Sequence, residues 1–265
     1  MRSQTRHRLN TALTVATGLS AGALIYRENK SRRLVERVAA AALETLLNAI
    51  EANDEETGMH VRRVAAYALV IGDEAGLEEH QCRAVERIAL FHDVGKIHQA
   101  LFDIVHEGKR LSSEERRKIA THPRRGAQVL APLATFYPDL PAGVLAHHER
   151  WDGKGYPRRL RGEQIPLEAR VVTIADTFDA LTHNRRYRRG RTIEAALAVI
   201  CEGRGTQFDP ALVDLVVAPH VVKRLSRTHL DETKRHGLGG GSRRSGTTER
   251  APDVSFRWRS ESLRP

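Results

Sequence analysis

The chain has 265 residues, 40% of them hydrophobic and 29% charged, enough apolar material for one substantial core and not for two. Composition excludes collagen-like, heptad, solenoid and multi-span membrane architectures, and two cysteines, Cys82 and Cys201, exclude a disulfide framework or a CxxC zinc site. The net charge of +10 sits at the ends: residues 1–33 carry seven Lys or Arg against one Glu and residues 223–265 eleven against five, which leaves residues 34–222 at −2. A nearly neutral globular part argues against a stable nucleic-acid complex, whatever the overall charge.

In chain order, residues 1–33 form a basic N-terminal segment. Within it, residues 9–26 carry no charge and are flanked by arginines on both sides. That length only just reaches a membrane span, and Asn10, Thr11, Thr14, Thr17, Gly18, Ser20 and Gly22 dilute it. Three readings stay open: an inner-membrane anchor for a cytoplasmic domain, a cleaved signal ending near Ala21-Gly22-Ala23, or a plain N-terminal extension. From Leu34 onward apolar residues recur at helical spacing. Leu34, Val35, Val38, Ala42, Leu46, Leu47 and Ile50 fit one stripe, and Val61, Val64, Tyr67, Ala68 and Ile71 another. Further helices are predicted over residues 79–92, 113–130, 142–148, 167–181, 192–201 and 210–217, with Pro and Gly clusters between them. No succession of alternating strand patterns occurs, so the predicted class is all-α, with a catalytic domain over 34–222. Beyond Val222 hydrophobicity falls and Gly237 to Ser245 is rich in Gly, Ser and Arg. Such a composition predicts a disordered basic tail over 223–265.

Thirteen histidines are many for this length, and their company is informative. His92-Asp93 and His147-His148-Glu149 each follow an apolar helical run, His122 precedes a proline, and Asp176 lies inside Val171-Val172-Thr173-Ile174-Ala175-Asp176. Each places a metal-capable side chain on a rigid apolar element. Neighbours such as His92 and Asp93 point about 100° apart on a helix, so both serve one cluster only near a helix end or between two metals. Imidazole and carboxylate without thiolate suit Fe, Mn, Zn or Ni.

Phe91-His92-Asp93-Val94-Gly95-Lys96 resembles the HDxGK signature of HD-superfamily phosphohydrolases. The run from His147 to Pro157, His-His-Glu-Arg-Trp-Asp-Gly-Lys-Gly-Tyr-Pro, resembles the HHExxDGxGYP signature of the HD-GYP branch. The likeness runs from about Ala52 to Val217. It implies an HD-type helical bundle with a metal centre in its core, and a phosphodiesterase that hydrolyses cyclic di-GMP to pGpG or GMP in bacterial signalling. The implied ligands are His92, Asp93, His122, His147, His148 and Asp176, with Asp93 bridging, for two or three divalent transition-metal ions, Fe or Mn. Glu56 and His60 match the form in which a third metal is held. Their spacing of four shares a helical face if the helix already covers both, with Gly58 between them.

Lys96, beside the metals, is placed to reach a phosphate oxygen as a point charge. Arg185 and Arg188 match the family's ligand contacts, three residues apart. Asp93 and Lys96 are therefore the expected catalytic pair. Gly155, Tyr156 and Pro157 lie in a loop flanked by Trp151 and Tyr156, an expected exposed aromatic surface for partners such as GGDEF-type cyclases. Glu149 and Asp179 are candidate carboxylate partners for the ligating imidazoles. The stretch Ile97 to Asp103 departs from the family's Ile-Pro-Asp step, which alters no ligand position. Two competing functions stay open: an HD-type phosphohydrolase of another nucleotide, and an inactive module that uses the GYP face for protein contacts.

Overall fold

A computed structural model describes residues 30, 34–97, 112–184 and 189–237. Residues 9–26, Arg185, Arg188 and the segment from 238 onward lie outside these. Among the described residues the chain is helical without a strand, as the sequence predicts. No helix among them is long and apolar enough to cross a membrane.

Helix α1 covers residues 34–53 and ends at Asp54, whose carboxylate caps α2 (Glu55–Glu74) by accepting from the Glu56 N–H. On α1 the buried stripe is Ala39, Leu43, Leu47 and Ile50. Leu34, Val35 and Val38, which spacing alone assigns to the core side, are exposed. The buried stripe advances by four, four and three residues; at about 100° per residue Leu34 and Val38 point away from it, whereas Val35 continues it one turn earlier and is exposed near the start of the helix. On α2 all five predicted positions are buried. This helix is the spine of the domain, packing against α3 (Glu79–Phe91), α7 (Leu167–Thr182) and α10 (Pro219–Gly237).

After α3 the chain passes through His92 and Asp93 into a 3₁₀ turn, Val94–Ile97. The stretch predicted as one helix over 113–130 is two, α4 (Ser113–Ile119) and α5 (His122–Leu130). Pro123 is the cause: it has no N–H to continue the ladder, so the carbonyl of Ile119 four residues earlier is left free. Helix α6 (Asp139–Ala146) follows, then the long loop with the GYP run, then α7, α8 (Ile193–Glu202), α9 (Pro210–Val216) and α10. Helix α10 corrects the predicted tail. It continues through Val222 to Gly237, and Leu225 and Glu232 are buried. A charged helix with a narrow apolar stripe scores as polar in bulk and still docks along that stripe.

Candidate metal centre

Among the described residues, two groups of three side chains are each close enough to hold one ion. His122, His147 and His148 form the first, His60, His92 and Asp93 the second, with ligand atoms within 4.8 Å of one another in each. Asp176 joins the second from α7: its Oδ1 is 3.4 Å from His60 Nε2 and 3.9 Å from His92 Nε2. Asp93 faces both groups, with Oδ1 3.3 Å from His122 Nε2 and Oδ2 3.5 Å from His92 Nε2. Its Oδ2 also takes the Lys96 ammonium at 2.6 Å.

The ends of helices aim the imidazoles. The last carbonyls of a helix have no intrahelical partner, and three ligands use such a group three residues back. His92 Nδ1 donates to Ala89 O at 2.7 Å, His147 Nδ1 to Val144 O at 2.6 Å, and His122 Nδ1 to Ile119 O at 2.8 Å. The last of these is the carbonyl that Pro123 leaves free. Each bond fixes the proton on Nδ1 and turns a bare Nε2 lone pair into the cluster. Gly95 permits the convergence, because a Cβ there would run into the backbone oxygen of His122.

This donor set fits metal ions. The Nε2 atoms of His122 and His147 lie 3.0 Å apart with no proton to share, and His92 Nε2 and Asp93 Oδ1 are buried without a hydrogen-bond partner among the described residues. Buried acceptors in that state are costly unless a cation answers them. Burial lowers the His122 and His148 imidazoles to about 3, and His147 well below its usual value, so all three are neutral ligands at pH 7. In the second group burial also opposes charge on His60, but hydrogen bonds with Asp176 and Asp179 outweigh it and raise its pKa to about 9. Burial likewise opposes ionisation of Asp93, and Lys96 with the surrounding imidazoles holds it well below the usual carboxylate range. The first group is thus all neutral nitrogen and the second mixed with carboxylate.

A scan of family models matches the HD domain over residues 44–212. The chain belongs to the HD domain family. Among relatives of this HD domain, the cyclic di-GMP phosphodiesterase response regulator RpfG of Xanthomonas campestris pv. campestris is 39% identical over 184 residues. The match covers 69% of this chain and 48% of the relative. The 3'3'-cGAMP-specific phosphodiesterase 2 of Vibrio cholerae is 37% identical over 174 residues, covering 65% of this chain and 33% of the relative. The chain therefore spans a third to a half of the length of these relatives. A solved structure of Bd1817, an HDGYP protein from Bdellovibrio bacteriovorus, shares the fold at TM-score 0.51 and 19% identity, covering 68% of this chain and 60% of that one.

The HD domain thus brings together His60, His92, Asp93, His122, His147, His148, Asp176 and Lys96. Helix α2 does cover both Glu56 and His60, since it starts at Glu55. Glu56 is exposed in the first turn and is not among the six side chains of the two groups. The expectation of an exposed aromatic loop is corrected. Gly155 is buried and Tyr156 is partly buried, stacked on His148 with ring centres 4.9 Å apart. Burial, with Asp93 and Asp176 nearby, pushes the Tyr156 phenol up, so it stays an O–H donor. The exposed members of this loop are Lys154, Arg158 and Arg159. Among the described residues Glu149 supports no imidazole. It accepts from the Arg158 and Leu160 N–H groups at 2.7 and 3.0 Å and folds the loop.

Asp179 does support one, accepting from His60 Nδ1 at 2.7 Å. Two of its other partners, Arg63 and His183, are site residues that motif reasoning misses. Helical spacing holds the signal: His60 and Arg63 share a face of α2, and Asp176 and Asp179 share a face of α7 that leads to His183.

Proposed function

We propose that this chain is a metal-dependent phosphodiesterase that opens a cyclic dinucleotide, with cyclic di-GMP as its substrate and pGpG or GMP as product. The observation that carries this reading is the single carboxylate of Asp93 set between two buried ligand groups with the Lys96 ammonium on one of its oxygens. The names of the relatives supply the substrate class. Two or three divalent transition-metal ions, Fe or Mn, would be held by the His122, His147, His148 group and by the His60, His92, Asp93 group with Asp176. When bound, such ions supply a nucleophile at neutral pH and charge relief at a phosphate.

The chain's own residues account for the rest. The backbone-anchored imidazoles keep their lone pairs directed inward and need no reorganisation during the reaction. Lys96, 29% exposed at its side chain, sits where a phosphate oxygen arriving from solvent meets a positive charge. The protonated Tyr156 phenol, its ring stacked on His148, offers a donor beside the first group. Arg185 and Arg188 are proposed to hold the second phosphate on the strength of the motif resemblance. Glu56, as a third-metal ligand, would favour cleavage through to GMP. Contact with a GGDEF-type cyclase at Gly155, Tyr156 and Pro157 belongs to the same reading, supported by the exposed basic residues beside them. So does a tether to the inner membrane through residues 9–26, which fractionation of the full chain reads.

A second substrate reading, 3'3'-cGAMP, has the support of the 37% identical relative. Incubation of the metal-loaded full chain with each dinucleotide, and identification of the linear products, tests the proposal. Faster cleavage of cyclic di-GMP supports it, preference for 3'3'-cGAMP moves it to the second reading, and no cleavage of either ends it.

A further inference from the structure

His60 uses its two ring nitrogens in different directions. Nε2 faces Asp176 and Asp93, while Nδ1 donates to Asp179 Oδ2. Asp179 is 1% exposed and accepts from three side chains. Arg63 reaches both of its oxygens, at 2.7 and 3.1 Å, and His183 Nδ1 lies 3.0 Å from Oδ1. With its proton committed there, His183 keeps a bare Nε2, and that atom is buried without a hydrogen-bond partner among the described residues. The ring packed beside it is His229 of α10, with centres 4.6 Å apart. His229 Nδ1 lies 3.1 Å from the hydroxyl of Tyr67. Tyr67 is fully buried, and burial keeps its phenol protonated. It therefore donates to His229 Nδ1, which leaves the His229 proton on Nε2. His229 thus meets His183 by ring packing, with no hydrogen bond between the two rings.

Space filling alone does not account for this assembly. Apolar rings of the same size would fill it without the cost of burying imidazole nitrogens. Hydrogen bonds and one ring contact together join the last helix to His60: Tyr67 to His229, His229 packed on His183, His183 to Asp179, and Asp179 to His60. We propose that His183 and His229 are positioning residues of the metal centre, holding Asp179 and through it the orientation of His60, so that docking of α10 and metal binding at His60 support one another. The inference rests on the metal reading above. Coupling of this kind is reciprocal: if α10 favours metal binding, metal must favour the docked α10.

The test uses the full chain, freed of metal by a chelator and then titrated with Mn²⁺ alone. In the wild type, Mn²⁺ should slow hydrogen exchange of backbone amides in residues 219–237, although none of the proposed metal-holding residues lies on that helix. His183→Phe and His229→Phe, which keep volume and lose the nitrogens, should each weaken Mn²⁺ binding by about tenfold or more, measured where the variants are folded. His183→Gln, which restores a donor to Asp179, and His229→Gln, which restores an acceptor for Tyr67, should recover most of that loss. Wild-type affinity in the Phe variants, or equal weakening by Phe and Gln, would overturn the proposal, because packing alone would then explain the site. If the Phe variants do not fold, the exchange experiment decides, and unchanged exchange in α10 on Mn²⁺ binding overturns it. Failure of the wild type to bind Mn²⁺ at all would instead refute the metal reading, so the two failures are separable.

Discussion

His122 and His147 meet nitrogen to nitrogen, their Nε2 atoms 3.0 Å apart while each Nδ1 is held by a backbone carbonyl. Two lone pairs at that separation repel, and burial keeps either ring from taking up a proton at pH 7. A cation converts the repulsion into two bonds. Chelation should therefore lower the unfolding temperature and added Mn²⁺ restore it. At free metal one hundred times Kd the gain is about 2.7 kcal/mol, several degrees for a domain of this size. Calorimetry with and without chelator checks this, and an unchanged Tm would count against the site.

Asp93 gives one oxygen to each ligand group. Replacing it should therefore empty both, whereas loss of a ligand from one group should spare the other. Asp93→Ala is expected to remove most of the bound metal and most of the activity, and His148→Ala about one ion per chain. Elemental analysis of the purified proteins, prepared anaerobically, reads the stoichiometry. Full loading of Asp93→Ala would overturn the bridging assignment.

Most of the centre is legible in the sequence because its ligands lie in short, ordered motifs, and the structure brings His92, Asp93, His122, His147, His148 and Asp176 together. The spacing of Val61, Val64, Tyr67, Ala68 and Ile71 also fixes the buried face of α2. What escapes is set by long-range contact. The phase of the α1 stripe depends on what Leu43 and Leu47 pack against, and local spacing cannot choose it. The placement of His229 depends on a helix whose composition resembles a tail, and only docking against Tyr67 reveals it. Glu149 reads as a metal-site carboxylate by its position beside His148, yet the unpaired amides of Arg158 and Leu160 claim it.

Gly95 marks the closest approach between the turn after α3 and the start of α5. A methyl group there meets backbone atoms of His122 and Gly126, which have little freedom to yield. Gly95→Ala should push Asp93 away from His122 and cost ~1–3 kcal/mol as an overpacked contact. The expected pair of results is a lower Tm and weaker metal binding. A variant with wild-type Tm and metal content would show that the close approach is dispensable.

The metal-free protein should have a stability maximum near neutral pH, from two shifts of opposite sign. His122 and His148 are lowered to about 3, below the ordinary histidine value near 6.5. The unfolded chain then binds more protons, and stability falls as pH drops from about 6.5 toward 3. His60 is raised to about 9, so its contribution is present below about 6.5 and is lost as pH rises through 9. Denaturant midpoints measured in chelator from pH 4 to 10 should trace a dome. A monotonic rise across that range would show that the His60 ion pairs contribute nothing.

Under the proposed function, a change at Lys96 should separate metal binding from catalysis. Its ammonium is bound to Asp93 Oδ2 at 2.6 Å yet keeps part of its surface open, so one charge can neutralise the carboxylate and still meet a phosphate. His92, His122, His147 and His60 do not depend on it, since their orientation comes from the carbonyls of Ala89, Ile119 and Val144 and from Asp179. Lys96→Ala should therefore keep its metal content while kcat/KM for the dinucleotide falls about ten- to a hundredfold, the worth of one charge-assisted hydrogen bond of ~1.5–3 kcal/mol. Lys96→Arg retains the charge with a different shape and should recover part of the loss. Steady-state kinetics on proteins of verified metal content make the comparison. Equal loss of metal and of rate in Lys96→Ala would mean that its work is to hold Asp93 in place, and unchanged kinetics would mean that the phosphate binds elsewhere.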